Sequence, residues 1–75
     1  MENNVIYPKD VVMTLNGNEK ATLEGVTGII SYSDDEIKLS SKNHILQFVG
    51  LNLTIKTISY KYAIIEGKIN HINFL

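Results

Sequence analysis

Residues 46–56 have the sequence LQFVGLNLTIK, and this stretch decides the fold class. Apolar residues alternate with polar ones on both sides of Gly50, which places Leu51, Leu53 and Ile55 on one face of an extended segment. Side chains of a strand alternate between its two faces, so the stretch predicts two short strands rather than a helix. A glycine between two strands predicts a bulge or a sharp bend.

The rest of the chain continues this alternation and predicts an all-β protein. The segment 36–41 alternates cleanly, with Ile37 and Leu39 on one face. Asn16 and Gly17 form the strongest short hairpin signal, because both residues accept positive φ. We expect about eight short, mostly antiparallel strands in a small coiled sheet, roll or sandwich with glycine corners. They are residues 11–15, 21–24, 26–32, 36–41, 44–49, 51–58, 62–66 and 68–74.

Three glycines each lie where one predicted strand passes almost directly into the next. They are Gly25, Gly50 and Gly67. Glycine at such a place allows a bend, so we expect these residues to be structural corners that let a small sheet coil on itself. The sequences around these glycines resemble one another weakly, but their unequal spacing does not make a sequence repeat.

Several predicted strands contain adjacent apolar residues, which a strand directs to opposite faces. The pairs are Ile29-Ile30, Ile45-Leu46, Phe48-Val49 and Ile64-Ile65. Either self-association covers the second face, or a bulge or a crossing between sheets places both residues inside, and the sequence leaves both explanations open. The predicted core or interface residues are Ile37, Leu39, Leu46, Phe48, Leu51, Leu53 and Ile55.

Length and composition indicate one small domain. Residues 1–10 are polar, contain the only proline, and are predicted to form a flexible N-terminal arm before a single β-domain at 11–75. A 75-residue chain buries only about 60% of its unfolded surface, so a partner subunit would help to stabilise it. The absence of cysteine excludes disulfides. The first residues do not resemble a signal peptide, and no apolar run approaches the roughly 18 residues of a membrane span.

Charge argues against nucleic-acid binding. The chain has seven lysines, no arginine and a net charge of -1, whereas nucleic-acid binders usually have a basic surplus. Tyr32, Tyr60 and Tyr62 could form a stacking platform for single strands, but packing at the core and rim is the simpler interpretation.

The candidate chemical groups are few. Asp34, Asp35 and Glu36 could bind a divalent cation, but a polar turn explains them better. His44 and His71 are far apart and lack cysteine partners for zinc. No nucleophile elbow or phosphate-binding loop is present. We therefore expect no enzyme activity, no catalytic or metal-binding residues and no cofactor.

The order of segments from Asp10 to Leu75 resembles the YabP/YqfC family of sporulation proteins. The most specific part is residues 46–56, which are similar to the family pattern apolar-x-apolar-x-Gly-x-x-Leu-x-apolar-Lys. The other similar segments are DVVM at 10–13, LEGV at 23–26, SDDEI at 33–37, IEGKI at 65–69 and INF at 72–74.

The resemblance implies a protein made in the mother cell of a spore-forming Firmicute and acting near the forespore surface or the coat. It implies no enzyme activity and supplies no binding site. YabP-like members often have a basic, aromatic tail after the domain, and this sequence ends at Leu75, so YqfC-like or truncated membership fits equally well.

Together these observations predict a non-enzymatic, cytoplasmic assembly protein of sporulation that acts through protein–protein contacts. We expect a homo-oligomer, a dimer or larger, with other sporulation proteins as further partners, and we expect neither nucleic-acid binding nor membrane insertion. The alternative is a β-barrel that binds a small molecule between its sheets.

Overall fold

The structure is a computed structural model that describes residues 4–6 and 11–75. Its strands are β1 (Asn4–Ile6), β2 (Val12–Asn16), β3 (Lys20–Tyr32), β4 (Glu36–Ser41), β5 (Ile45–Ser59) and β6 (Lys61–Phe74). Each strand pairs antiparallel with the next one along the chain, and β3 also pairs with β6. This last pairing closes β3, β4, β5 and β6 into a small barrel, which β2 and β1 extend beside β3.

The N-terminal arm is described only in part. Residues 4–6 form β1, which pairs with residues 13–15 of β2. Residues 1–3 and 7–10 lie outside the described residues, so the flexibility of the arm stays a prediction.

The all-β prediction is confirmed, but the number of strands is wrong. Residues 11–75 form five strands, because three pairs of predicted strands are continuous through their glycines. The strand β3 runs through Gly25, β5 through Gly50 and β6 through Gly67. A bend with a register shift lets one strand change direction without the turn that two separate strands would need.

Each long strand therefore belongs to two layers. Residues 20–26 of β3 pair with β2 and β6, whereas residues 26–32 pair with β4. The first layer contains β2, residues 20–26 of β3, residues 61–66 of β6 and residues 54–59 of β5. The second layer contains residues 26–32 of β3, β4, residues 45–51 of β5 and residues 68–74 of β6.

The strands β5 and β6 cross at their bends with backbone packed against backbone. A Cβ atom on Gly50 would overlap the Lys68 carbonyl oxygen. A Cβ atom on Gly67 would lie 2.5 Å from the Asn52 carbonyl oxygen, and Gly67 also has a φ of 131° that disfavours other residues. Each bend thus fits against the other strand only because both bends carry glycine.

Two loops cap these bends in the same way. The carbonyl oxygens of Asp35 and Asp34 accept hydrogen bonds from the Gly50 N–H at 3.0 Å and the Leu53 N–H at 2.8 Å. On the other bend, the carbonyl oxygens of residues 19 and 18 accept from the N–H groups of residues 67 and 69 at 3.1 and 2.7 Å. The first layer therefore repeats the arrangement of the second, and β2 holds in one layer the position that residues 26–32 hold in the other.

The core lies between the two layers. Its buried side chains are Val11, Met13, Ala21, Leu23, Val26, Ile37, Leu39, Leu46, Phe48, Leu53, Ala63, Ile65 and Ile69, and Ile55 packs against them partly buried. Leu51 corrects the predicted face of residues 51, 53 and 55, because it is 54% exposed. The β5–β6 register shifts between Leu51 and Thr54, and Asn52 has a φ of 55°, so the alternation of side chains is interrupted there.

We expect Gly50→Ala to lower the free energy of unfolding by about 1–3 kcal/mol or more, because the added methyl group would overlap backbone that cannot move without opening the bend. Urea unfolding monitored by circular dichroism measures the change. Gly28→Ala is the matched control, since its Cβ would meet only the Ser40 Oγ at 3.2 Å. Equal losses in the two variants would contradict the assignment of a backbone contact to Gly50.

Candidate functional site

The acidic residues and the histidines that the sequence offers as chemical candidates lie in a turn, in a ring contact and on a strand. Ser33 donates its hydroxyl hydrogen to Asp35 Oδ1 at 2.8 Å in the loop between β3 and β4, which is the predicted polar turn. The ring of His44 packs edge-on against Phe74, with ring centroids 6.3 Å apart, and His71 lies on β6 opposite Val49. Among residues 4–6 and 11–75, no three His, Cys, Asp or Glu side chains come close enough to hold a metal ion.

The feature that stands out is an open strand edge beside exposed apolar side chains. Residues 27–32 of β3 pair with β4 on one side, and within the described part of the chain no strand pairs with their other side. Residues 54–59 of β5 likewise pair only with β6 in this part of the protein. A groove lined by residues 26–29 and 58–61 separates these two edges.

We call the exposed side chains around this groove the β3 edge patch. Its members are Ile29 (45% exposed), Ile30 (50%), Tyr32 (51%), Ile58 (45%) and Tyr60 (86%). Contiguous apolar side chains on a protein surface mark sites of interaction more often than scattered ones do. The patch is therefore the candidate functional site of the described residues.

The pair Ile29-Ile30 shows that a bulge is one reason why apolar residues are adjacent in a strand of this chain. The β3–β4 register shifts between Ile29 and Ser31, so Ile30 is the extra residue of a bulge. Such a bulge disturbs the strict alternation and leaves both isoleucines about half exposed. In the pair Ile45-Leu46 alternation is kept, since Leu46 is buried and Ile45 is 37% exposed.

Tyr32 holds the two edges of the groove opposite each other. Its hydroxyl oxygen accepts a hydrogen bond from the Ile55 N–H at 3.1 Å. This bond provides a partner for one backbone donor on the open side of β5, and it fixes the ring of Tyr32 across the end of the groove.

The other layer has an equivalent edge that is occupied. There β2 takes the place of residues 26–32 of β3, and β1 pairs with its outer side. Met13 pairs with Leu23 as Ile29 pairs with Leu39. Met13 is fully buried, whereas Ile29 is 45% exposed.

Charges lie only at the two ends of the open edge. Residues 26–33 contain no charged residue and no proline, which are the residues that usually discourage pairing at sheet edges. At one end Val26 pairs with Lys61, whose Nζ lies 5.5 Å from the Tyr60 ring centroid. At the other end follow Asp34 and Asp35.

Sequence reasoning singled out Ile29 and Ile30 as a pair but missed the patch as a whole. Ile58 and Tyr60 join it because the β5–β6 hairpin lies beside β3, and this neighbourhood is not local in sequence. The uncharged run at 26–33 was the available signal. Of the residues predicted as core or interface, Leu51 is the exposed one, and it lies away from the patch, at the recess beside the β6 bend.

A family model supports the resemblance seen in the sequence. The model of the YabP family matches residues 8–75. The chain belongs to the YabP family. The match includes both bends, both capping loops and the β3 edge patch, and it confirms the predicted family. Membership of the YabP family suggests a sporulation-related protein.

No curated protein matches the sequence. The described residues contain no helix that is long and apolar enough to cross a membrane.

We expect Tyr32→Phe to lower the free energy of unfolding by about 0.5–1.5 kcal/mol, because the Ile55 N–H loses its acceptor. The Ile55 amide should also exchange with deuterium faster, which nuclear magnetic resonance measures directly. Tyr60→Phe is the matched control at an 86% exposed position. Unchanged exchange at Ile55 in the Tyr32 variant would show that this bond does not hold the groove.

Proposed function

We propose that this YabP-family chain is a non-enzymatic assembly protein of sporulation that acts through protein–protein contacts, including contacts between its own copies. It works in the cytoplasm of the mother cell of a sporulating Firmicute, at the forespore surface or coat, with other sporulation proteins as further partners. The observation that carries the proposal is the β3 edge patch, an uncharged open strand edge surrounded by apolar side chains.

The size of the chain supports self-association. A domain of 75 residues has little core to stabilise it, and burying half-exposed isoleucine and tyrosine side chains between copies removes apolar surface from water. Each copy then provides part of the core that the other lacks.

The use of the polar side chains supports a structural role. Gln47 donates to Glu36 and accepts from Asn73 Nδ2 at 2.9 Å, which joins β4, β5 and β6. The Ser41 hydroxyl donates to the His44 carbonyl oxygen at 3.1 Å and so fixes the loop between β4 and β5. These groups connect strands instead of converging on a point where a substrate could react.

The alternative of a ligand inside the barrel gains no support from the interior. Phe48, Leu39 and Ile65 have no exposed surface and occupy the space between the layers. Small barrels of this kind are filled by their own side chains.

Sedimentation velocity at micromolar concentrations tests self-association. We expect the weight-average sedimentation coefficient to rise with concentration as the chain passes from one copy to a dimer or larger assembly. A coefficient that stays at the value of a single copy at every concentration would reject self-association.

A deletion of the gene in the source bacterium tests the role in sporulation. We expect unchanged vegetative growth and a lower yield of heat-resistant spores, with expression confined to the mother cell. Constitutive expression in growing cells, or normal spores without the protein, would contradict this role. A plasmid copy of the intact gene is the control.

A further inference from the structure

We infer that the β3 edge patch docks a second copy of this chain, with residues 27–32 of the two copies paired antiparallel around Ile30. The inference rests on the proposed self-association and names its site, its register and its partner.

The occupied edge of the first layer shows which residues of the open edge a further strand would cover. There β1 pairs with Met13, Thr14 and Leu15 of β2. The equivalent positions of the second layer are Ile29, Ser31 and Tyr32, which pair with consecutive residues of β4, while Ile30 is the extra residue of the bulge. A strand added to the open edge therefore covers residues 29–32, as β1 covers residues 13–15 of β2.

The charges select a second copy as that strand. In an antiparallel pair of two β3 edges centred on Ile30, the Asp34 of each copy lies near the end of the partner strand where Val26 pairs with Lys61, and this match of charges favours that register. The two-fold symmetry of such a contact creates this pair of opposite charges twice. Between the two ends, only the uncharged residues 26–33 face each other, so no like charges are opposed.

The side chains of the patch fit the same contact. The isoleucines at positions 29 and 30 of both copies meet at the centre, and the tyrosines at 32 and 60 lie around them. Interfaces between identical subunits have an apolar centre that is poor in charge and rich in aromatic residues. Alone, the open edge would expose unpaired backbone groups, and pairing with an identical edge satisfies them.

Disulfide trapping tests the register directly, because the chain has no cysteine of its own. In the inferred dimer the two copies of residue 30 are directly opposed, with Cα atoms about 4.5–5.5 Å apart, which is within the range of a disulfide. We expect Ile30→Cys to form a covalent dimer under mild oxidation at micromolar concentration, whereas Leu51→Cys, which is 54% exposed at the recess beside the β6 bend, stays largely monomeric on denaturing gels.

A charge exchange provides a second test that leaves the apolar centre intact. We expect Asp34→Lys and Lys61→Asp each to weaken the dimer about three- to tenfold, since each places like charges together at both ends. The double variant Asp34→Lys/Lys61→Asp restores the original pairing and should regain most of the affinity in sedimentation equilibrium. Additive losses in the double variant would overturn the inferred register. Unchanged urea unfolding of each variant confirms that the fold is kept.

The outcomes separate this inference from the proposed function. A chain that sediments as one copy at all concentrations rejects self-association and the docking site together. A chain that self-associates without an Ile30→Cys cross-link, or with an equally strong Leu51→Cys cross-link, keeps the proposed function and overturns this site. A second protein that pairs with the β3 edge while the chain itself remains monomeric also overturns the inference.

Discussion

The backbone contact between β5 and β6 at their bends is the constraint on which the rest of the fold depends. Gly50 and Gly67 have no side chain at a place where a Cβ atom would meet the other strand. The two strands can therefore cross closely and bend together, so each contributes one half to each layer. A chain of 75 residues thereby builds two layers, and a closed barrel, from only five strands between residues 11 and 75.

The bends also determine where the open edge lies. A bent strand leaves N–H groups without a ladder partner, and buried donors of this kind must be satisfied. The carbonyl oxygens of Asp34 and Asp35 accept from β5, and those of residues 18 and 19 accept from β6. The loop at 33–35 follows β3 directly, so its attachment to β5 fixes the end of β3 and its uncharged edge. Folding and the candidate interaction surface thus depend on the same contacts.

Local sequence patterns predicted the features of the fold that depend on neighbouring residues in the chain. Alternation gave the strands, and Gly17, with a φ of 61°, lies in the predicted hairpin turn. A glycine such as Gly50 indicates a change of direction but does not tell whether the strand ends or bends, since its contact is with Lys68 on another strand. The exposure of Leu51 likewise depends on a register shift against β6. The uncharged run at 26–33 marks one side of the β3 edge patch, but the patch as a whole could not be predicted, because Ile29 and Ile58 come together only through the barrel closure.

The two layers differ at their equivalent edges. Among residues 4–6 and 11–75, the additional strand β1 pairs with β2 in the first layer, while no strand pairs with the equivalent edge of β3 in the second layer. If both edges were open, copies could add at each side and form an extended array. In the inferred contact, pairing through β3 uses the same surface on both copies, and such a contact closes at two.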